Sequence, residues 1–209
     1  MTDVSKLALK GSSKTVADYF EFAIHSILFQ RNIYPPEDFI TVRKYGLPLL
    51  VSNESDVVEY VGQIMSQVKK WIYGKKLCKL AVVIVSKDTG DRAERWDFDL
   101  SIINEENGEG EAERDSSEVK SRDQVQKEIQ RILRQITSCV SYLPILNDDN
   151  YSFNVLCYTD ANSGVPNQWI DTNGDTKALE GDNVENVEFA SFSTNIHKVG
   201  TFVTYKVQD

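Results

Sequence analysis

Cysteine, histidine and positive charge are all scarce in this chain. Its 209 residues include only three cysteines and two histidines. Cys78, Cys139 and Cys157 are scattered and odd in number, and each falls in a strand or helix pattern. They read as small buried hydrophobes in a reducing compartment, which argues against a disulfide framework or a metal site. Neither His25 nor His197 has neighbours that suggest a serine or cysteine nucleophile, so both read as structural or surface histidines and no catalytic residue is named. Net charge is −9, so the surface as a whole does not attract nucleic acid over long range. The longest apolar run, Leu80 to Val85, falls far short of the roughly 20 residues a membrane helix needs. The opening MTDVSKLALKGSSK lacks the apolar stretch of a signal peptide. The expectation is a nuclear or cytosolic protein with no cofactor, no metal, no membrane contact and no direct nucleic-acid partner.

What is present is a folded protein's composition, 41% hydrophobic and 10% aromatic, enough for one domain with an appendage. Three amphipathic helices stand out. Val16, Tyr19, Phe20, Ala23, Ile24, Ile27 and Leu28 follow the i, i+3, i+4, i+7 rule, with Ser12 or Ser13 as the expected cap and Pro35-Pro36 beyond the end. Val57, Val61, Ile64, Met65, Val68 and Ile72 mark a second helix starting near Asn53 or Ser55 and stopping at Gly74. The third opens on the capping box Ser121-Arg-Asp-Gln124 and runs through Val125, Ile129, Ile132, Leu133, Ile136, Val140 and Leu143 to Pro144.

Strands fill the gaps. Phe39–Tyr45 and Leu47–Val51 pivot on Gly46 as a hairpin. Leu77–Ser86 and Arg95–Ile103 flank a turn containing Gly90. Leu80 to Val85 is apolar throughout, as expected of a strand covered on both faces. Its partner alternates, with Trp96, Phe98 and Leu100 inward and Asp97 and Asp99 on a solvated outer face. Residues 104–118 hold seven acids and one base, a solvated loop. Asp171-Thr-Asn173-Gly-Asp175 has the look of a calcium loop but lacks glycine at the sixth position, glutamate at the twelfth and flanking helices.

The last fifty residues carry the functional signal. Tyr151 to Tyr158 alternates Phe153, Val155 and Cys157 in a strand; at a sheet edge it offers unpaired backbone groups to an added strand. Either the chain's own tail or a partner peptide covers that edge, and the pattern does not choose. A run rich in Asn, Asp and Gly follows, with Trp169 as its only large anchor. Order then returns: Phe192, Thr194 and Ile196 alternate, His197 lies in a turn, and Val203, Tyr205 and Val207 share a face. This reads as a strand pair on a long leash, fit to be docked or moved. On the third helix Lys127, Arg131, Arg134 and Ser138 form one stripe opposite the apolar face. It is either an ordinary solvated face or a protein-binding one, where Arg serves as an anchor.

Several segments resemble the HORMA-domain family: Lys10-Gly11-Ser12, Ser26 through Tyr34-Pro35, Arg43-Lys-Tyr-Gly-Leu47 and Glu94-Arg-Trp96-Asp-Phe98. Arg134-Gln-Ile-Thr137, Tyr142-Leu-Pro144, Tyr158-Thr-Asp160, Ser191-Phe-Ser-Thr194 and His197-Lys-Val199 resemble its spindle-checkpoint branch. The resemblance spans nearly the whole chain in the right order. It implies an α+β fold, three helices on a mainly antiparallel sheet plus a β-hairpin, and no enzymatic activity. The implied organisation is a mobile N-terminal segment 1–10, a core 11–160 and a C-terminal safety belt 161–209.

The implied mechanism is peptide capture by a protein with open and closed conformers. A partner peptide is added along Tyr151, Phe153, Val155, Cys157 and Tyr158, beneath a belt anchored by Trp169, Phe192, Ile196, His197, Val203 and Tyr205. The implied partners are a coiled-coil checkpoint protein at kinetochores, the activator of the anaphase-promoting complex, and a second copy of the chain through Arg131, Arg134 and Gln135. The N-terminal segment, expected as a marginal edge strand in which Leu7 and Leu9 alternate, would be displaced when the belt moves, with Leu9 as the switch. The implied location is the nucleus, kinetochore and nuclear periphery, and also the cytoplasm. The other reading within the family is an adaptor for another pathway, such as the accessory subunit of a translesion DNA polymerase.

Overall fold

The structure, a computed structural model, describes residues 3–103, 119–146, 150–172, 179, 181 and 183–207. The acid-rich run 104–118 and most of the calcium-loop-like motif lie outside these residues. Helix α1 (Asp3–Gln30) leads through a short 3-10 turn into strands β1 (Phe39–Lys44) and β2 (Leu47–Ser52). Helix α2 (Ser55–Tyr73), β3 (Leu77–Ser86), β4 (Arg92–Ile102), α3 (Arg122–Ser138) and β5 (Tyr151–Thr159) follow. The tail holds β6 (Val184–Glu188), β7 (Phe192–Ser193) and β8 (His197–Lys206). Three helices pack on an antiparallel sheet of order β5-β3-β4-β8-β6, with β7 also on β8 and β1-β2 as a separate hairpin. This is the expected α+β architecture.

Local chemistry explains most boundaries. Tyr45 and Gly46, with φ of 53° and 72°, form the two-residue left-handed turn that suits a twisted hairpin. Glu54 caps α2 by accepting from the Val57 N–H at 2.8 Å, and the Ser121–Gln124 capping box closes as its sequence predicts. The core is one cluster in which the apolar faces of all three helices meet the inward residues of the sheet. Tyr19, Phe20, Phe98 and Phe192 interlock there, with Tyr19 and Phe192 ring centroids 4.9 Å apart. Arg31 and Glu94, both buried, form an ion pair that ties the end of α1 to β4, and the Trp96 indole N–H donates to Glu94 at 3.1 Å.

Three expectations need correction. Helix α1 starts at Asp3, well before Ser12 and Ser13, which are buried within it and do not cap it. The Ser12 hydroxyl bonds to the tail, a satisfaction invisible to local pattern. Nor do Leu7 and Leu9 alternate along a strand. Two residues of helix span roughly 200°, which leaves Leu7 72% exposed and Leu9 5% exposed. Asp97 is also not solvated. It is buried on the outer sheet face and accepts two hydrogen bonds of 2.8 Å from the Arg95 guanidinium, which offset the cost of burying a carboxylate. Asp99 is exposed, as expected.

Candidate peptide-binding edge

Strand β5 pairs with β3 along its whole length, Leu77↔Thr159 through Ser86↔Tyr151. Among the described residues no strand occupies its other edge. Among the described residues of the tail, none caps β5 in this arrangement. Strand β8 lies against β4 in a nine-pair register from Glu94↔Tyr205 to Ile102↔His197. β3 and β4 stand between β8 and β5, three strand spacings or roughly 14 Å.

The segment 161–172 passes beside the β5 edge as a strap. Asp160 N–H donates to the Lys76 carbonyl at 3.0 Å, and the Trp71 indole N–H donates to the Gly164 carbonyl at 3.2 Å. Trp169 then packs edge-on against Trp71 with centroids 4.9 Å apart. Between strap and strand lies a cavity of about 640 Å³ lined by Trp71, Val155, Cys157, Trp169 and Ile170. Ile170 is 89% exposed and Val165 53% exposed, so the strap presents apolar side chains that this chain leaves uncovered.

At the other end of β5 a second cavity, about 530 Å³, is lined by Tyr34, Tyr60 and Phe153 with Glu54 and Asp56 at its rim. Phe153 meets Tyr60 and Tyr34 edge-on at 5.5 and 6.3 Å. The two carboxylates and burial push the Tyr34 hydroxyl above its ordinary range, burial being the larger cause. Strand, two cavities and strap form one trough suited to an extended chain.

The predicted edge residues divide by face. Phe153 and Val155 are buried toward the helices, and Cys157 shares that face, its thiol pushed up to about 12 by burial and hence a poor nucleophile. Tyr158 points to the outer face, where its hydroxyl accepts from Arg95 at 2.8 Å. Tyr151 is half-buried at the start of the strand.

The predicted belt residues separate into two groups. Trp169 belongs to the strap, whereas Phe192, His197, Val203 and Tyr205 are buried in the docked tail and Ile196 is half-buried. A clasp that the sequence did not reveal holds that tail. The Ser12 hydroxyl lies 2.6 Å from both Thr194 Oγ1 and His197 Nδ1, and Tyr19 Oη is 2.8 Å from Thr201 Oγ1. Burial, with Lys75 as the lesser cause, lowers His197 to about 4, and burial alone lowers His25 to about 4. Both are neutral structural groups at physiological pH; His25 accepts from the Ser52 N–H at 3.3 Å.

On α3, Arg131 and Arg134 are exposed, while Gln135 is half-buried and its Oε1 accepts from the Ala190 N–H at 2.8 Å, so it also holds the tail. Trp71, Tyr34, Tyr60 and Ser12 are the site residues sequence reasoning missed. Their sequence signals are the aromatic positions themselves, the segment from Ser26 to Tyr34-Pro35 and the Lys10-Gly11-Ser12 motif. Among the described residues no group of three or more His, Cys, Asp or Glu could hold a metal, and no helix is long and apolar enough to cross a membrane.

The HORMA domain family model matches residues 12–197. The chain belongs to the HORMA-domain family. It is 44% identical over 203 residues to the mitotic spindle checkpoint component mad2 of Schizosaccharomyces pombe, covering 97% of this chain and 96% of that protein. It is 40% identical to the human mitotic spindle assembly checkpoint protein MAD2A, covering 96% and 93% respectively. A chain in the crystal structure of the mitotic checkpoint complex superposes with a TM-score of 0.81 at 44% identity, covering 94% of this chain and 99% of that one. The Caenorhabditis elegans protein HTP-1, solved with a HIM-3 closure motif, shares the fold at a TM-score of 0.73 and 13% identity, covering 95% and 91%. This HORMA protein works in the spindle assembly checkpoint, and its full-length relatives are named as checkpoint components, a non-catalytic role. Service to another pathway is the weaker reading.

Proposed function

We propose that the chain captures an extended peptide of a partner as a strand added to β5, beneath the strap 161–172. The single observation that carries this reading is the unpaired β5 edge, flanked by two cavities and bridged by the Trp71–Trp169 contact. An added strand pairs with backbone groups along the outer edge of β5, and alternate peptide side chains enter the two cavities. A lone edge strand leaves quickly; a strap pinned across it makes release wait on local unfolding.

On this reading Tyr151, Phe153, Val155, Cys157 and Tyr158 form the receiving strand, with Trp169 and the docked tail, from Phe192 to Tyr205, as the belt. The partners proposed are a coiled-coil kinetochore checkpoint protein and the activator of the anaphase-promoting complex, whose inhibition delays anaphase. A second copy of the chain is proposed to dock on the α3 face at Arg131, Arg134 and Gln135. On this reading the arrangement described here, with the tail on β4 and no tail strand on the outer edge of β5, is the closed one. An open conformer with a different tail position completes the switch, with Leu9 a residue whose packing differs between the two. The site of action is the nucleus, kinetochore and nuclear periphery, and also the cytoplasm.

The test is to identify the peptides that co-purify with the chain and measure their release. Trp169→Ala removes the strap's anchor and leaves the docked tail in place, so release is expected to accelerate by roughly tenfold or more. Release as slow as in the wild type would overturn the strap.

A further inference from the structure

A further cavity lies away from the β5 trough. It measures about 690 Å³ and is framed by the first half of α1, the β1–β2 turn, the start of α3 and the tail turn Thr194–Ile196. Its walls carry four cations, Lys14, Lys44, Lys120 and Arg122, on a chain of net charge −9. Two of them are offset: Lys44 pairs with Asp18 at 2.8 Å and Lys120 with Glu128. Lys14 and Arg122 are exposed and have no ion pair among the described residues. The floor is apolar, supplied by Val125 and Ile196 above the buried Ile129.

The apolar surface continues beyond the cavity. Ala8 and Gly11 line it on α1, and positions Val4 and Leu7 extend the same helical face. Val4 is 79% exposed and Leu7 72% exposed, and Val119, beside Lys120, is 82% exposed. An apolar stripe that runs into a cavity rimmed by unpaired cations calls for a ligand with both characters.

The geometry points to a second docking site here, whose occupant is a short acidic amphipathic segment of a partner protein. Its apolar side chains lie on the stripe from Leu7 to Ile196 and its carboxylates meet Lys14 and Arg122. A bare polyanion would leave the apolar floor exposed, and a purely apolar peptide would leave the cations unanswered. The site is also specific to conformation. Thr194, Asn195 and Ile196 form one wall, and that wall is tied to α3 because Lys120 N–H donates to Asn195 Oδ1 and Lys120 Nζ to Ser193 Oγ, both at 2.8 Å. The site is complete only while the tail is docked, so its ligand must favour that state by whatever affinity it loses in the other.

A fluorescently labelled acidic amphipathic peptide built of Glu and Leu is the probe, titrated into the full chain with and without a β5 ligand. Binding is expected to weaken about tenfold in Lys14→Glu/Arg122→Glu, whose changes lie at exposed helix positions. It should also weaken in Leu7→Asp, and in roughly 0.5 M salt. Release of the β5 ligand should be the same in these variants, which separates this site from the trough. Amide exchange across Thr194–Val203 should slow when the probe is bound. Equal binding by the charge-reversed variant, equal binding of a DNA oligonucleotide, or unaltered exchange would each overturn the proposal. So would binding that appears only after residues 104–118 are deleted, since that would make the chain's own acidic run the occupant.

Discussion

His197 shows how one side chain joins distant parts of this chain. Its ring meets Ser12, 185 positions away, and burial holds it neutral with a pKa of about 4. An unfolded histidine takes up a proton near pH 6.5, whereas the buried one refuses it until about 4. Stability is therefore fully present above pH 6.5 and is lost progressively as pH falls toward 4, by up to about 3 kcal/mol for this residue. Urea unfolding from pH 7 to 4.5 should show that slope, steepened by His25, which is depressed to the same degree. His197→Gln should flatten it; an unchanged slope would show that His197 does not titrate with folding. None of this was legible in sequence, where His197 reads as a turn residue. Asp97 was misjudged for the same reason: strand alternation shows which face a residue occupies, but not that Arg95 and Tyr158 bury that part of the face.

Among the elements, the helices and hairpins were legible because their information is local. Amphipathic spacing, the Ser121 capping box and the Tyr45-Gly46 turn each act within a few residues. Helix α1 was misjudged at its start because the Lys10-Gly-Ser-Ser stretch looks like a cap until the tail supplies Ser12 with partners. That change of element bears directly on Leu9. Leu9 is buried on the helix in the tail-docked arrangement, so Leu9→Ala should destabilise this arrangement by about 2 kcal/mol, read by urea unfolding. A population shift toward the tail-docked form would instead restore the idea that Leu9 supports only the other state. On α3, Arg134 projects into solvent away from the core. Arg134→Glu should leave stability within about 0.5 kcal/mol and peptide capture intact while weakening self-association by about 2 kcal/mol or more. Sedimentation of the variant at wild-type concentration dependence would move the interface elsewhere.

For the molecule as a whole, what the sequence could not show is the side of the sheet on which the tail lies. The same alternating residues suit either edge, and the decision rests on contacts with β4 and α1 about a hundred residues or more away. The outcome makes the tail part of the core. Val199, Val203 and Thr201 are all 1% exposed or less, and β8 covers β4 along nearly its full length. Truncation after Asn195 should therefore abolish more than the belt: it should expose the β4 edge and convert cooperative thermal unfolding into a broad transition with aggregation. A sharp melt in the truncated chain would show that the rest of the molecule folds without β8.

The strap also has a mechanical consequence. It is fastened at Lys76 and Trp71 on one side of the trough, and the chain then continues covalently to β6 and β8 at the far side of the sheet. On the capture reading proposed above, the strap and β5 together enclose whatever lies in the trough. A strand inside a ring cannot be lifted out sideways; it leaves by sliding lengthwise or when a fastening opens. A partner with folded domains on both sides of the captured segment cannot slide either, so tension along that partner would strain the ladder of β5 in shear, with every hydrogen bond sharing the force at once. Such a knot-like hold depends less on the affinity of individual side chains than on how long Trp169 stays on Trp71.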